Sequence, residues 1–281
     1  MLYPVVAGIN ARRAVVAPVR SACPTIGWIA AVAGIVGQIA YPLGDAATRT
    51  VLTGGTVTAF FVAMVAAACS SVGVRRGLAA AAVGCGLAWG VELVGLRTGL
   101  PFGRYSYTGS LRPTLGGVPA IVPLAWTALG LASLSLGRRL VRGRLTVALV
   151  GGGALASWDL FLDPQMVADG HWRWHSPQWT IPGVPGIPVS NFAGWLVVAV
   201  LLIGILDRVL PANQPVCGRS RPFGGSTADG VAATVYLWTY GSEVLAGIAF
   251  FHRPSVAVVG GVVMGAFAIP YARALRAGRQ S

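Results

Sequence analysis

Eight stretches of this chain are apolar over about the length needed to cross a bilayer, and that pattern constrains the fold more than any other feature. They cover residues 26–42, 51–73, 78–96, 119–137, 145–162, 191–207, 230–250 and 254–272. Hydrocarbon offers no water to an unpaired backbone, so such runs become helices. The last two are separated only by His252, Arg253 and Pro254, as a tight hairpin or one broken segment, so seven or eight spans are expected. The expected architecture is all-α: a polytopic transmembrane helical bundle, one integral membrane domain over 1–281, with a polar, Pro/Gly-rich inner-side loop at 211–229. Only 10% of the residues are charged, against about 25% in soluble domains, which excludes a soluble globule. The first span follows Arg12, Arg13 and Arg20, as a signal peptide would. It is long for the apolar core of one and has no clear cleavage site, so it reads as a helix.

The net charge of +13 does not point to nucleic acid, because the basic residues sit between apolar runs rather than in one patch. All 21 are arginine. With eight spans and both termini cytoplasmic, 15 of the 21 fall inside and six (Arg49, Arg97, Arg104, Arg112, Arg173, Arg253) outside. That bias favours a multi-pass cell-membrane protein in this orientation. The four cysteines show no ligand-like spacing and are read as free thiols.

Against this background the acidic residues stand out. The chain has eight, and Glu92, Asp159, Asp163 and Glu243 lie inside or at the end of apolar spans. A carboxylate in hydrocarbon costs roughly 2.5–3.5 kcal/mol on insertion scales, so such residues face a protein interior and act there. On the eight-span map all four lie toward the outer side, where two long loops, 97–118 and 163–190, begin. Both loops are rich in Gly, Pro and aromatics, and five of the nine tryptophans fall from Trp158 to Trp195. Two structured outer loops capping a cavity are therefore expected.

Each feature has a structural alternative. Tryptophans at a membrane boundary form interfacial belts, Glu243 could bond a neighbouring helix, and Asp163 before Pro164 could cap a helix end. His171 and His175 share a face only on a helix, which Gly170 and Pro177 disfavour, so no metal site is assigned. The Asp159-x-x-x-Asp163 spacing is half of an Asp-rich prenyltransferase motif, and no second half exists.

Several blocks are more distinctive. Glu92-Leu-Val-Gly95, Thr98-Gly-Leu-Pro-Phe-Gly-Arg-Tyr-Ser-Tyr107, Gly117-Val-Pro119 and Pro123-Leu-Ala-Trp126 come first. Asp159-Leu-Phe-Leu-Asp-Pro164, Gly170-His-Trp-Arg-Trp174 and Gly186-Ile-Pro-Val-Ser-Asn-Phe-Ala-Gly-Trp195 follow. Together they resemble the CruF-type carotenoid hydratase family over about residues 85–205, with IPGVPGIP standing where the family has an aromatic residue. The resemblance implies addition of water across the terminal double bond of an acyclic carotenoid end group, giving a tertiary alcohol. It implies no cofactor. The expected partners are a carotenoid in the bilayer, water, membrane lipid and other enzymes of carotenoid biosynthesis.

That chemistry suits these residues. An alkene is a very weak base, so the acid must stay neutral until it meets the double bond, and burial favours the neutral carboxyl. Asp159 or Asp163 is the expected acid, with Glu92, then Asp163, as the group that orients water and takes its proton. Tyr105, Tyr107, Trp158, Trp172 and Trp174 are candidates to face the developing cation. Asn191 would hold water or the product hydroxyl, and Glu243 completes the substrate-binding set. The rival readings are a membrane carotenoid cyclase, whose Pro-x-Glu motif is absent, a prenyltransferase-like enzyme, and a carotenoid-binding protein without catalysis.

Overall fold

Each apolar run is a helix in the computed structural model, which describes residues 3–175, 179–211 and 226–278. The helices are α1 (Tyr3–Ala40), α2 (Ala46–Val72), α3 (Val74–Thr98), α4 (Ile121–Leu140), α5 (Arg144–Ala168), α6 (Val189–Val209), α7 (Ser226–Ala249) and α8 (Pro254–Ala277). Seven are long and apolar enough to cross a membrane. The exception is α7, which carries Asp229 and Glu243 and packs beside α8. The chain is thus a multi-pass membrane helical bundle.

Two boundaries differ from the sequence expectation. Helix α5 does not stop at Pro164 but continues to Ala168, so Asp163 lies within the helix and the outer loop starts later. Pro164 has no N–H to give the Leu160 carbonyl, so the helix runs through it with one backbone bond fewer. Beyond it, Arg253, from the α7–α8 turn, donates to the Pro164 carbonyl at 2.9 Å and to Gln165 Oε1 at 3.1 Å, which ties down the last turn of α5. The polar loop expected over 211–229 is also shorter, because α7 starts at Ser226. Arg219, Arg221 and Cys217 lie outside the described residues, while Cys69 and Cys85 are free thiols and Cys23 interacts with Cys69.

Helix α4 is the axis of the bundle, with every residue from Trp126 to Arg138 buried. An apolar helix buried on all sides is the core rather than the wall. The surrounding helices turn aliphatic side chains outward, among them Val51, Leu145, Val197, Leu201 and Val262. Lipid is as apolar as these residues, so packing between helices relies on small residues that let backbones approach. At Gly152 of α5, a Cβ would sit 2.6–2.7 Å from Val200 of α6. At the end away from the long loops, Arg138 of α4 donates to Asp207 Oδ1 of α6 at 2.7 Å and to the Asp207 carbonyl at 3.1 Å. It also bonds the carbonyl of Leu210, so one guanidinium closes the C-terminus of α6.

The two long loops form the cap. Strand β1 (Tyr105–Tyr107), from the first, pairs antiparallel with β4 (Trp172–Trp174), from the second. The register sets Tyr105 against Trp174 and Tyr107 against Trp172. Side chains alternate along a strand, so the four aromatics share one face and Ser106 and Arg173 share the other. Two hairpins complete the cap: β2 (Thr114–Leu115) with β3 (Val118–Pro119), and β5 (Thr180–Ile181) with β6 (Val184–Pro188). The IPGVPGIP stretch is this second hairpin. Its turn is Pro182-Gly183, and Gly183 takes the positive φ of 86° that a Pro-Gly turn demands of its second residue.

Candidate active site

The aromatic face of the cap lies over the ends of α3, α5, α6 and α7, where the buried acidic residues are. Glu92, a turn and a half from the end of α3, is 4% exposed. Its Oε2 accepts the phenol O–H of Tyr105 at 2.6 Å and that of Tyr107 at 2.8 Å. Both donors come from the same face of β1, so a strand of three residues delivers two hydroxyls to one oxygen. Burial, followed by the charge of Glu92, pushes both phenols well above their ordinary pKa, so they remain donors at any physiological pH.

Asp159 and Asp163 lie one turn apart on α5 and are 1% and 2% exposed. Asn191, from the first turn of α6, joins them: its Nδ2 donates to Asp159 Oδ2 at 2.9 Å and to Asp163 Oδ2 at 2.5 Å. The Trp172 indole donates to Asp163 Oδ1 at 3.1 Å. Asp159 Oδ1 has no hydrogen-bond partner among the described residues. Among the described residues no cation is bonded to any of the three acids, and hydrogen bonds offset their desolvation.

Phe102 holds the first loop in place. It is inserted between α3 and α6, where a Cβ on Gly95 would lie 2.7 Å from its ring and one on Gly194 would lie 3.1 Å from it. The Phe102 carbonyl accepts the Trp174 indole N–H at 3.0 Å, which ties the two loops together. Tyr105 packs against Trp174 with ring centroids 5.9 Å apart, and Tyr107 meets Trp172 edge to face at 5.8 Å.

These groups surround a cavity of about 160 Å³, on a scale where one water needs roughly 10–15 Å³. Of the residues singled out from sequence, Glu92, Asp163, Tyr105, Tyr107, Trp158, Trp172, Trp174, Asn191 and Glu243 all line it. Asp159 does not. It sits behind the wall, reaching the cavity only through Asn191 and Asp163. Glu243, on α7, closes another side of the cavity near the Trp158 indole, whose N–H makes no hydrogen bond of normal geometry.

Sequence reading missed part of the wall. Trp126 and Trp195 line it with Phe102, their rings stacked with an interplanar angle of 23°. Both belong to the blocks quoted above, and that was the available signal. Gln38, Thr53 and Thr56 extend the cavity between α1 and α2, a side no motif indicated. His171 and His175 flank β4 instead of sharing a helical face. His171 Nδ1 pairs with Ser110 Oγ at 2.8 Å and His175 Nε2 with Ser106 Oγ at 3.1 Å. Among the described residues, no group of three or more His, Cys, Asp or Glu could hold a metal ion.

A helical membrane bundle with acidic residues gathered under an aromatic cap defines an intramembrane protein built around a mostly apolar pocket. Residues 53–268 match the family described as carotenoid biosynthesis protein, and the chain belongs to that family. Over 138 residues it is 41% identical to a protein of Haloarcula japonica named bisanhydrobacterioruberin hydratase, a match covering 46% of this chain and 44% of the relative. The chain therefore spans less than half the length of that curated relative. No solved structure matches.

Proposed function

We propose that this protein hydrates the terminal double bond of an acyclic carotenoid end group, giving a tertiary alcohol. The observation that carries the reading is the convergence of Asp163 and Glu92 on one mostly apolar, aromatic-lined cavity. A relative named as a hydratase of a carotenoid supports the substrate class.

Asp163 is the acid. Its O–H bond breaks as the alkene π pair forms a C–H bond to the less substituted carbon, leaving the positive charge on the tertiary carbon. The faces of Tyr107, Trp158, Trp172 and Trp174 stabilise that charge. A water oxygen then forms the C–O bond and its surplus proton passes to Glu92, which is oriented by the two phenols. Transfer of a proton from Glu92 back to Asp163 through the cavity water resets the site. Asp159 is a positioning residue that acts through Asn191. The arginine bias supports an orientation with this end of the bundle outside and both termini in the cytoplasm, so that water reaches the site from the cap side.

The test is expression in a host that accumulates an acyclic carotenoid, followed by chromatography and mass spectrometry of its pigments. Wild type is expected to yield a product heavier by one water, and Asp163→Asn, at equal membrane abundance, to yield none. Unchanged pigment with wild type overturns the proposal.

A further inference from the structure

A second cavity lies beside the first. It is a groove of about 750 Å³ between α1 and α2, closed at the cap end by Ser110, Leu111 and Arg112 of the first loop. Helix α2 divides the two spaces, with Thr53, Thr56 and Val57 facing the inner cavity and Val51, Gly54, Gly55, Thr58 and Val62 facing the groove. Leu111 and Ile121 line both. From Thr50 to Val62 the groove follows α2 for 12 residues, roughly 18 Å at 1.5 Å per residue. Ala30, Ala33, Gly54, Gly55 and Ala59 line it with Thr50 and Thr58, and the exposed Val51 and Val62 stand at its rim.

The inner cavity suits an end group with water beside it and is too small for the rest of a long polyene. We propose that the polyene body of the substrate lies in the α1–α2 groove, and that Leu111 and Ile121 form the threshold over which the end group passes to Asp163. This rests on the functional reading above and adds where the substrate lies and which residues measure its length. Three features favour a hydrocarbon rod over a protein partner: the groove shares Leu111 and Ile121 with the site, its wall is mostly apolar with Arg112 at the cap end, and it is open to the bilayer in which such a rod dissolves. The absence of side chains at Gly54 and Gly55 creates its depth. A Cβ at either position would meet nothing within 4 Å, so neither glycine is there for helix packing.

Gly54→Leu and Gly55→Leu therefore fill the groove without disturbing the bundle. Gly86→Leu, on α3 and equally unobstructed, is the control outside both cavities. Each variant, at matched membrane abundance, is offered a long acyclic carotenoid and a short acyclic isoprenoid with the same terminal double bond. A misfit of one methylene in an apolar pocket changes rates about 10–200-fold, so both groove variants are expected to lose at least about tenfold on the long substrate. Turnover of the short substrate stays at the wild-type level, and Gly86→Leu matches wild type on both. Pigment retained by the purified protein falls in parallel, a readout independent of turnover. Wild-type rates and pigment retention in both groove variants would overturn the assignment while leaving the hydratase reading intact. Equal losses on long and short substrates would overturn it too. Hydration of neither substrate by wild type would remove both.

Discussion

The two phenols on one carboxyl oxygen offer a quantitative test of the site. Tyr105→Phe and Tyr107→Phe each remove a hydroxyl from Glu92 Oε2 and keep the ring contacts with Trp174 and Trp172. After either change the other phenol still satisfies that oxygen, so each single variant loses about one net hydrogen bond, about 1 kcal/mol or fivefold in rate. The double variant is different. It leaves a buried carboxyl oxygen with no side-chain donor, which adds a desolvation penalty of about 1–3 kcal/mol. The total of about 3–5 kcal/mol is a loss of about 150- to 5,000-fold, against about 30-fold if the two effects simply multiplied. The assay is initial rate of hydrated pigment formation in membranes matched for protein content, with all four members of the cycle measured together. A coupling energy indistinguishable from zero would refute the shared-oxygen arrangement, as would either single variant abolishing turnover.

At the opposite end of the bundle, Arg138→Leu strands Asp207 with most of its partners gone and is expected to cost about 3–5 kcal/mol in stability. Replacing both residues with leucine should restore most of it, read from thermal unfolding in detergent. In the cap, burial holds the His171 imidazole below its usual pKa, so the unfolded chain binds a proton there more readily than the folded one. The stability tied to neutral His171 is full above the unfolded value of about 6.5 and is lost as the pH falls further. Wild-type thermal midpoints should therefore drop between about pH 7 and pH 5 more steeply than those of His171→Gln. Parallel profiles would contradict this.

Much of the architecture was legible because hydrocarbon imposes one backbone solution and forbids idle charges. The spans followed from apolar length, and the acidic residues stood out as expensive in that setting. The cap was harder to read. Its strands are two to five residues long, too short for a periodic signal, and the β1–β4 pairing joins segments 67 residues apart. One clue was available: Tyr-Ser-Tyr and Trp-Arg-Trp both alternate aromatic with polar, as two strands sharing a face would. Pro164 misled because a proline removes one backbone bond without ending a helix that its neighbours hold, and here Arg253 anchors the turn that follows it. The relation of Asp159 to Asp163 was also beyond the sequence. Both share one face of α5 and both accept from Asn191, yet only Asp163 lines the cavity.

The central claim is that a carboxyl at this site protonates carbon and water then captures the cation. Turnover in deuterium oxide enriched in ¹⁸O-labelled water tests it most directly, with the product analysed by mass spectrometry and NMR. The account predicts one solvent deuterium on the carbon next to the carbinol and one labelled oxygen in the hydroxyl, with both labels lost in Asp163→Asn. A hydroxylated product whose oxygen is not solvent-derived, or whose neighbouring carbon carries no deuterium, would contradict it.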